Sequence, residues 1–172
     1  MENIDIIKAA ANDVYKLQQI SRDTFSEAFS SDHNDENMHK YMDKSFSTEK
    51  LTAELQNEDS EFYFAVLEGT VIGYLKLNSG LSQTEIKDAK ALEIERIYVL
   101  QEYHGKKVAQ LLYAKAIDNA MQRSADYVWL GVWEENPRAI SFYKKNGFVE
   151  FDQHSFMFGD DKQTDIMMKK LL

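Results

Sequence analysis

The chain of 172 residues has no cysteine, one proline and few glycines, seven in all. The missing thiols exclude disulfides, thiolate zinc sites, iron–sulfur ligation and a cysteine nucleophile together. No run approaches the roughly 18 consecutive apolar residues that a membrane-spanning helix needs. The start, Met1-Glu2-Asn3-Ile4-Asp5, lacks the basic and apolar regions of a signal peptide, so a soluble, cytoplasmic protein is expected, with no membrane partner. Phosphate fingerprints of the G-x-G-x-x-G and G-x-x-x-x-G-K-[ST] types are absent, as are H-E-x-x-H and G-x-S-x-G. Basic charge is short as well. Twenty Lys and Arg face 29 Asp and Glu, a formal charge of −9. That balance argues against gripping a nucleic-acid backbone, which needs clustered cations.

What is present is a globular composition. Hydrophobic residues make up 44% of the chain and aromatics 12%, enough to fill a core and exclude wholesale disorder. The length suits one domain, 1–172. No repeat or linker interrupts it. The acidic excess is uneven: residues 12–61 hold twelve Asp or Glu against five Lys or Arg. Such a region either keeps a helical surface solvated or draws cations to it.

The periodicity predicts a strand at Ile4 to Ala9, then a helix whose apolar face is Val14, Leu17, Ile20, Thr24, Phe25 and Phe29. One or two shorter helices follow through Asn57, with Ser47 as a cap. Glu61 to Leu67 and Val71 to Leu77 form a hairpin around Glu68-Gly69. Residues 79–90 read as a polar loop. Leu92 to Leu100 is a strand, 106–123 a helix, and Tyr127 to Trp133 an apolar strand of the kind buried on both faces. Asn136 caps a helix with Pro137 at its first position, and Gly147 fits just past its end. Strands at 148–157 and 164–171 close the chain around Gly159-Asp160-Asp161. The order gives an α+β, mixed α/β sheet with one parallel strand–helix–strand crossover.

Two constellations carry chemistry. The turn Tyr103-His104-Gly105-Lys106-Lys107 joins a strand to a helix, whose first N–H groups suit an anion, though on the residues alone a plain turn with two solvated lysines is the simpler reading. Asp32-His33-Asn34-Asp35-Glu36-Asn37 resembles a calcium loop, but its sixth position is Asn37 where glycine is needed, and no metal is expected. The second constellation is Asn136-Pro137-Arg138-Ala139-Ile140-Ser141-Phe142-Tyr143-Lys144-Lys145-Asn146-Gly147-Phe148.

That second run resembles the GNAT superfamily of N-acetyltransferases. It matches the family pattern N-x-x-A-x-x-x-Y-x-x-x-G-F at Asn136, Ala139, Tyr143, Gly147 and Phe148. The family's Q/R-x-x-G-x-G/A turn is matched in part: His104 stands for Arg or Gln, Lys107 for the middle Gly, and Ala109 fits the last position. The runs 92–98 and 129–134 and the tail 154–160 resemble bacterial spermidine/spermine N-acetyltransferases of the Pai type. The resemblance implies a central, mostly antiparallel mixed sheet with a splayed strand pair, flanked by helices. It implies transfer of acetyl from acetyl-CoA directly to an amine in a ternary complex, without a metal.

The resemblance also implies roles. The N–H groups of Gly105, Lys106, Lys107, Val108, Ala109 and Gln110, with His104, would hold the pyrophosphate. Ile97, Tyr98 and Val99 would pair with pantetheine, and the Val99 N–H would stabilise a developing oxyanion. Tyr143 would protonate the leaving thiolate, unless it is a core phenol with its hydroxyl tied to backbone. Glu93 aligns with a glutamate base of the family, and in an unbroken strand Glu95 shares its face. Each would either take the amine proton, through water, or attract the cation. Arg96 would partner one of them. Asn136 would touch the cofactor, while Arg138 and Lys145 would meet its 3′-phosphate or lie in solvent. The expected acceptor is a polyamine, and a homodimer would follow many relatives. A protein lysine or N-terminal acetyltransferase and a non-catalytic CoA-binding module are the competing readings.

Overall fold

Glu68 and Gly69 both take positive φ, 50° and 80°, and this turn sets the first hairpin of a seven-stranded sheet. The computed structural model describes residues 3–29 and 35–172. Its strands are β1 (Ile4–Lys8), β2 (Ser60–Leu67), β3 (Thr70–Asn78), β4 (Ala91–Val99), β5 (Tyr127–Trp133), β6 (Val149–Phe158) and β7 (Asp161–Leu171). They lie in the order β1-β2-β3-β4-β5-β7-β6. All neighbours are antiparallel except β4 and β5, which are parallel.

The helices are α1 (Val14–Phe29), α2 (Asp35–Ser45), α3 (Thr48–Gln56), α4 (Val108–Gln122) and α5 (Pro137–Lys145). Two apolar layers result, one on each face of the sheet. Leu112, Ala116 and Tyr143 from α4 and α5 pack with Leu75, Ile94 and Leu130. Leu17, Phe25, Met38 and Leu51 from α1, α2 and α3 pack with Phe64 and Tyr74 on the opposite face. Alternation along each strand feeds both layers. Among the described residues no helix is long and apolar enough to cross a membrane.

Local chemistry explains the ends. Ser47 accepts from the Lys50 N–H, and Asn136 from the Ala139 N–H, at 3.2 Å each. Gly147 ends α5 at φ 93°, a left-handed value that favours glycine.

Several expectations need correction. The helix read from 106 begins at Val108, because a single 3-10 turn (Gln101–Tyr103) and the left-handed Lys107 intervene. The last hairpin turns on Gly159-Asp160 alone, so β7 starts at Asp161. Along β5 Gly131 is exposed, so that strand is not buried throughout. β4 is not unbroken either. Leu77 pairs with Ile94 and Lys76 with Arg96, which leaves Glu95 as an extra residue in a bulge. The calcium-like segment lies partly outside the described residues, and Asp35 to Asn37 open α2.

Candidate active site

β4 and β5 pair only from Ala91–Tyr127 to Ile94–Leu130. Beyond that point β4 stays with β3 and β5 with β7, and the two parallel strands part. The Leu100 N–H donates to the Ile72 carbonyl at 2.9 Å. Antiparallel alternation then aims the backbone groups of Ile97 and Val99 at the gap, away from β3. One cavity of about 920 Å³ occupies this opening. Ala109, Asn136, Arg138 and Tyr143 line it from the α4–α5 side, and Phe25, Phe29 and Tyr41 from the α1–α2 side. The splay is therefore a passage through the sheet.

On the α4–α5 side the N–H groups of Gly105, Lys107, Val108, Ala109 and Gln110 donate to no backbone carbonyl of the described residues. They form the open end of α4, where an anion is favoured. Lys107 holds φ 64° where the related pattern has glycine, a strain of about 1–2 kcal/mol for an L-residue. His104 donates through Nε2 to the Val99 carbonyl at 2.8 Å, and its Nδ1 faces Arg138. Val108 is buried in the core, and Gln110 donates to the Asn146 side chain at 3.2 Å. Lys106 lies over the Tyr103 ring. Lys145 stands apart, on the outer face of α5 with Pro137 and Ser141.

Tyr143 is buried against Phe148, with ring centroids 5.7 Å apart. Its hydroxyl has no hydrogen-bond partner among the described residues, and burial alone raises its pKa. The phenol therefore stays neutral and keeps its proton available to the cavity.

On the α1–α2 side the two glutamates meet at one amide. Asn78 Nδ2 donates to Glu93 at 3.0 Å and to Glu95 at 2.8 Å. Glu93 is 2% exposed and also accepts from the Thr84 N–H at 2.8 Å and the Thr84 hydroxyl at 2.6 Å. Burial raises its pKa against those donors. Burial also works on Glu95, but Arg96 at 3.0 Å and Lys76 at 2.9 Å overcome it. They hold Glu95 down at about 2. Lys76 and Arg96 also face Glu54 of α3, so four charged side chains form one largely buried cluster.

Three features escape the sequence reading. The 79–90 connection is anchored: Trp129 Nε1 donates to the buried Gln83 at 2.7 Å, which places Thr84 on Glu93. The Glu95 bulge had a signal, because the apolar positions Leu92, Ile94, Ile97 and Val99 step by two, three and two. Asp165 of β7 lines the cavity, and nothing local in its strand marks it. Among the described residues no group of three or more His, Asp or Glu is placed to hold a metal ion.

Residues 14–148 match the model of the Acetyltransferase (GNAT) family, and the chain belongs to that family. It is 37% identical over 172 residues, all of this chain and 99% of the relative, to a Lactobacillus delbrueckii subsp. lactis protein named an uncharacterized N-acetyltransferase in the pepI 3′ region. It is 27% identical, over 95% of this chain and 99% of the relative, to the spermidine N(1)-acetyltransferase of Thermoplasma acidophilum. The crystal structure of PaiA N-acetyltransferase from that organism, in complex with coenzyme A, superposes with a TM-score of 0.82 at 26% identity over 99% of both chains. The protein is an acetyl-CoA-dependent N-acetyltransferase. The open N–H groups at α4 and the bared edge of β4 fit that co-substrate.

Proposed function

We propose that the acceptor is a polyamine of the spermidine or spermine kind. The observation that carries this reading is the make-up of the α1–α2 end of the passage. Phe25 and Tyr41 stack at 4.6 Å, Phe158 stacks on Tyr41 at 5.2 Å, and Glu85, Glu93 and Asp165 line the same cavity. Ring faces suit an alkyl chain and an ammonium, and carboxylates suit its charge. The spermidine acetyltransferase relative supports the same reading.

The N–H groups from Gly105 to Gln110 would hold the pyrophosphate, with Asn136 and Arg138 beside it. Ile97 to Val99 would pair with pantetheine, as one strand pairs with another. The Val99 N–H would face the carbonyl oxygen on which negative charge grows. Tyr143 would give its proton to sulfur as the carbon–sulfur bond breaks. A thiol pKa near ~8.5 lies below a phenol's, so this donation runs with bond breaking, not ahead of it. Of the two roles open to the glutamates, attraction of the cation fits better. Glu95 is committed to Arg96 and Lys76, and both Glu93 oxygens already accept hydrogen bonds.

The test is thiol release from acetyl-CoA with spermidine, spermine, a lysine peptide, a peptide N-terminus and no acceptor in parallel. With no cysteine in the chain, a thiol reagent sees only liberated CoA. Release with polyamines alone is expected. Equal release with the lysine peptide or the N-terminus would move the acceptor to protein amines.

A further inference from the structure

Attack on a carbonyl needs a neutral amine, and alkylammonium groups titrate near ~10.4, so a group in the cavity must take a proton. Neither glutamate on β4 has a carboxylate free for it. Among the described residues that line the passage, Asp165 has one. Asp165 pairs with Trp133 across β5 and β7, diagonal to Gly131. Gly131 leaves the room it occupies: a Cβ there would stand 3.3 Å from Asp165 Oδ2. Among the described residues no donor bonds its carboxylate, since the nearby His154 Nδ1 is engaged with Glu85 at 2.8 Å. It lies on the acceptor face, in the same cavity as Val99 and Tyr143.

We propose that Asp165 is the base that takes the proton from the acceptor ammonium, working from the slot that Gly131 leaves beside the splay. This rests on amine acetylation at this passage, and holds for any amine accepted there. The charged and titratable groups facing Asp165 are His154 from β6, Glu85 from the connection before β4, and Tyr41 from α2. Burial, with Glu85 adding to it and His154 opposing, raises its pKa to about 6. That is high enough to accept a proton and low enough to be ionised at neutral pH.

The protons balance. Asp165 takes one proton from the ammonium nitrogen. The freed lone pair forms the carbon–nitrogen bond, and the carbon–sulfur bond breaks with its electrons going to sulfur. Tyr143 gives sulfur a proton and recovers one from the new amide nitrogen. Asp165 returns its own proton to water.

The test uses the full chain, acetyl-CoA, and whichever panel amine the wild type acetylates fastest, so failure of the polyamine reading does not touch it. Asp165→Asn is expected to lower kcat about 100-fold, with acetyl-CoA affinity unchanged. The acid limb of kcat/KM at about 6 should disappear, and Glu93→Gln should keep it. A peptide α-amine, titrating near ~8, should lose less than an alkylamine because more of it is already neutral. Turnover within about threefold of wild type with the limb intact would overturn the proposal, as would loss of the limb in Glu93→Gln alone. Should the Asn variant not fold, Gly131→Ala crowds the carboxylate without removing it. A fall in kcat with acetyl-CoA binding kept supports the assignment, and unchanged kcat sinks it.

Discussion

The imidazole of His104 joins the end of β4 to Arg138, 34 residues further along the chain than the imidazole itself: Nε2 donates to the Val99 carbonyl, and Nδ1 accepts from Arg138. Only the neutral ring with its hydrogen on Nε2 satisfies both contacts. The pair ties the end of β4 to the first turn of α5 across the mouth of the passage. It also brings a guanidinium to where the related pattern carries Arg or Gln at position 104. In the proposed site the cationic contact to the pyrophosphate would then come from a different element.

Arg138→Ala should therefore weaken acetyl-CoA binding about tenfold, the loss of roughly 1.4 kcal/mol that a charged hydrogen bond supplies. Turnover at saturating acetyl-CoA should change little. Titration calorimetry reads the first and steady-state kinetics the second. An unaltered dissociation constant would place Arg138 in solvent.

Tyr143→Phe separates chemistry from structure. The ring packs on Phe148 and Phe142, while the hydroxyl bonds to nothing described. Removing the oxygen leaves no buried group unpaired, so the melting temperature should hold or rise slightly. Turnover should fall about 100-fold, with acetyl-CoA affinity unchanged. Retained turnover would remove Tyr143 from the proposed role of acid.

The half of the site on α5 was legible because its signals are local. Asn136, Pro137 and Gly147 act within one helix, and a helix fixes where Tyr143 points once its ends are known. The other half depends on contacts between distant residues. Thr84 reaches Glu93 only because Gln83 is pinned by Trp129, 46 residues on. Asp165 gains its setting from Gly131 on a neighbouring strand, and a strand order cannot be read from either segment. The bulge at Glu95 falls between these cases. Its apolar spacing was visible, yet a strict period of two hid it. Both glutamates nevertheless reach Asn78, so the shared face survives although the unbroken strand does not.

Gly73 governs how closely β3 approaches β4 beside Val99. A Cβ there would lie 2.8 Å from the Tyr98 carbonyl oxygen and 3.3 Å from the Val99 Cα. Both are backbone atoms, so Gly73→Ala must push the strands apart. A loss of about 1–3 kcal/mol is expected, typical of overpacking. Chemical denaturation measures it, and turnover should fall as well because Val99 moves. Wild-type stability would show that the strands have slack there.

Glu95 and Asp165 couple stability to pH with opposite signs. Glu95 is held at about 2, below its ordinary 4.5. Its contribution is present above 4.5 and is lost as pH falls towards 2. Glu95→Gln leaves Lys76 and Arg96 short of a partner, and should cost about 3 kcal/mol at neutral pH, less in acid. Asp165 is raised to about 6 from 3.8. Its contribution is present below 3.8 and is lost as pH rises through about 6. Asp165→Asn should therefore stabilise the fold at about pH 7.5, by roughly 1–2 kcal/mol, and have little effect at about pH 4. Urea midpoints of both variants at the two pH values decide it. An equal shift for Asp165→Asn at both would assign its effect to packing, because a charge effect must shrink as falling pH protonates the carboxyl in the folded chain and then in the unfolded one.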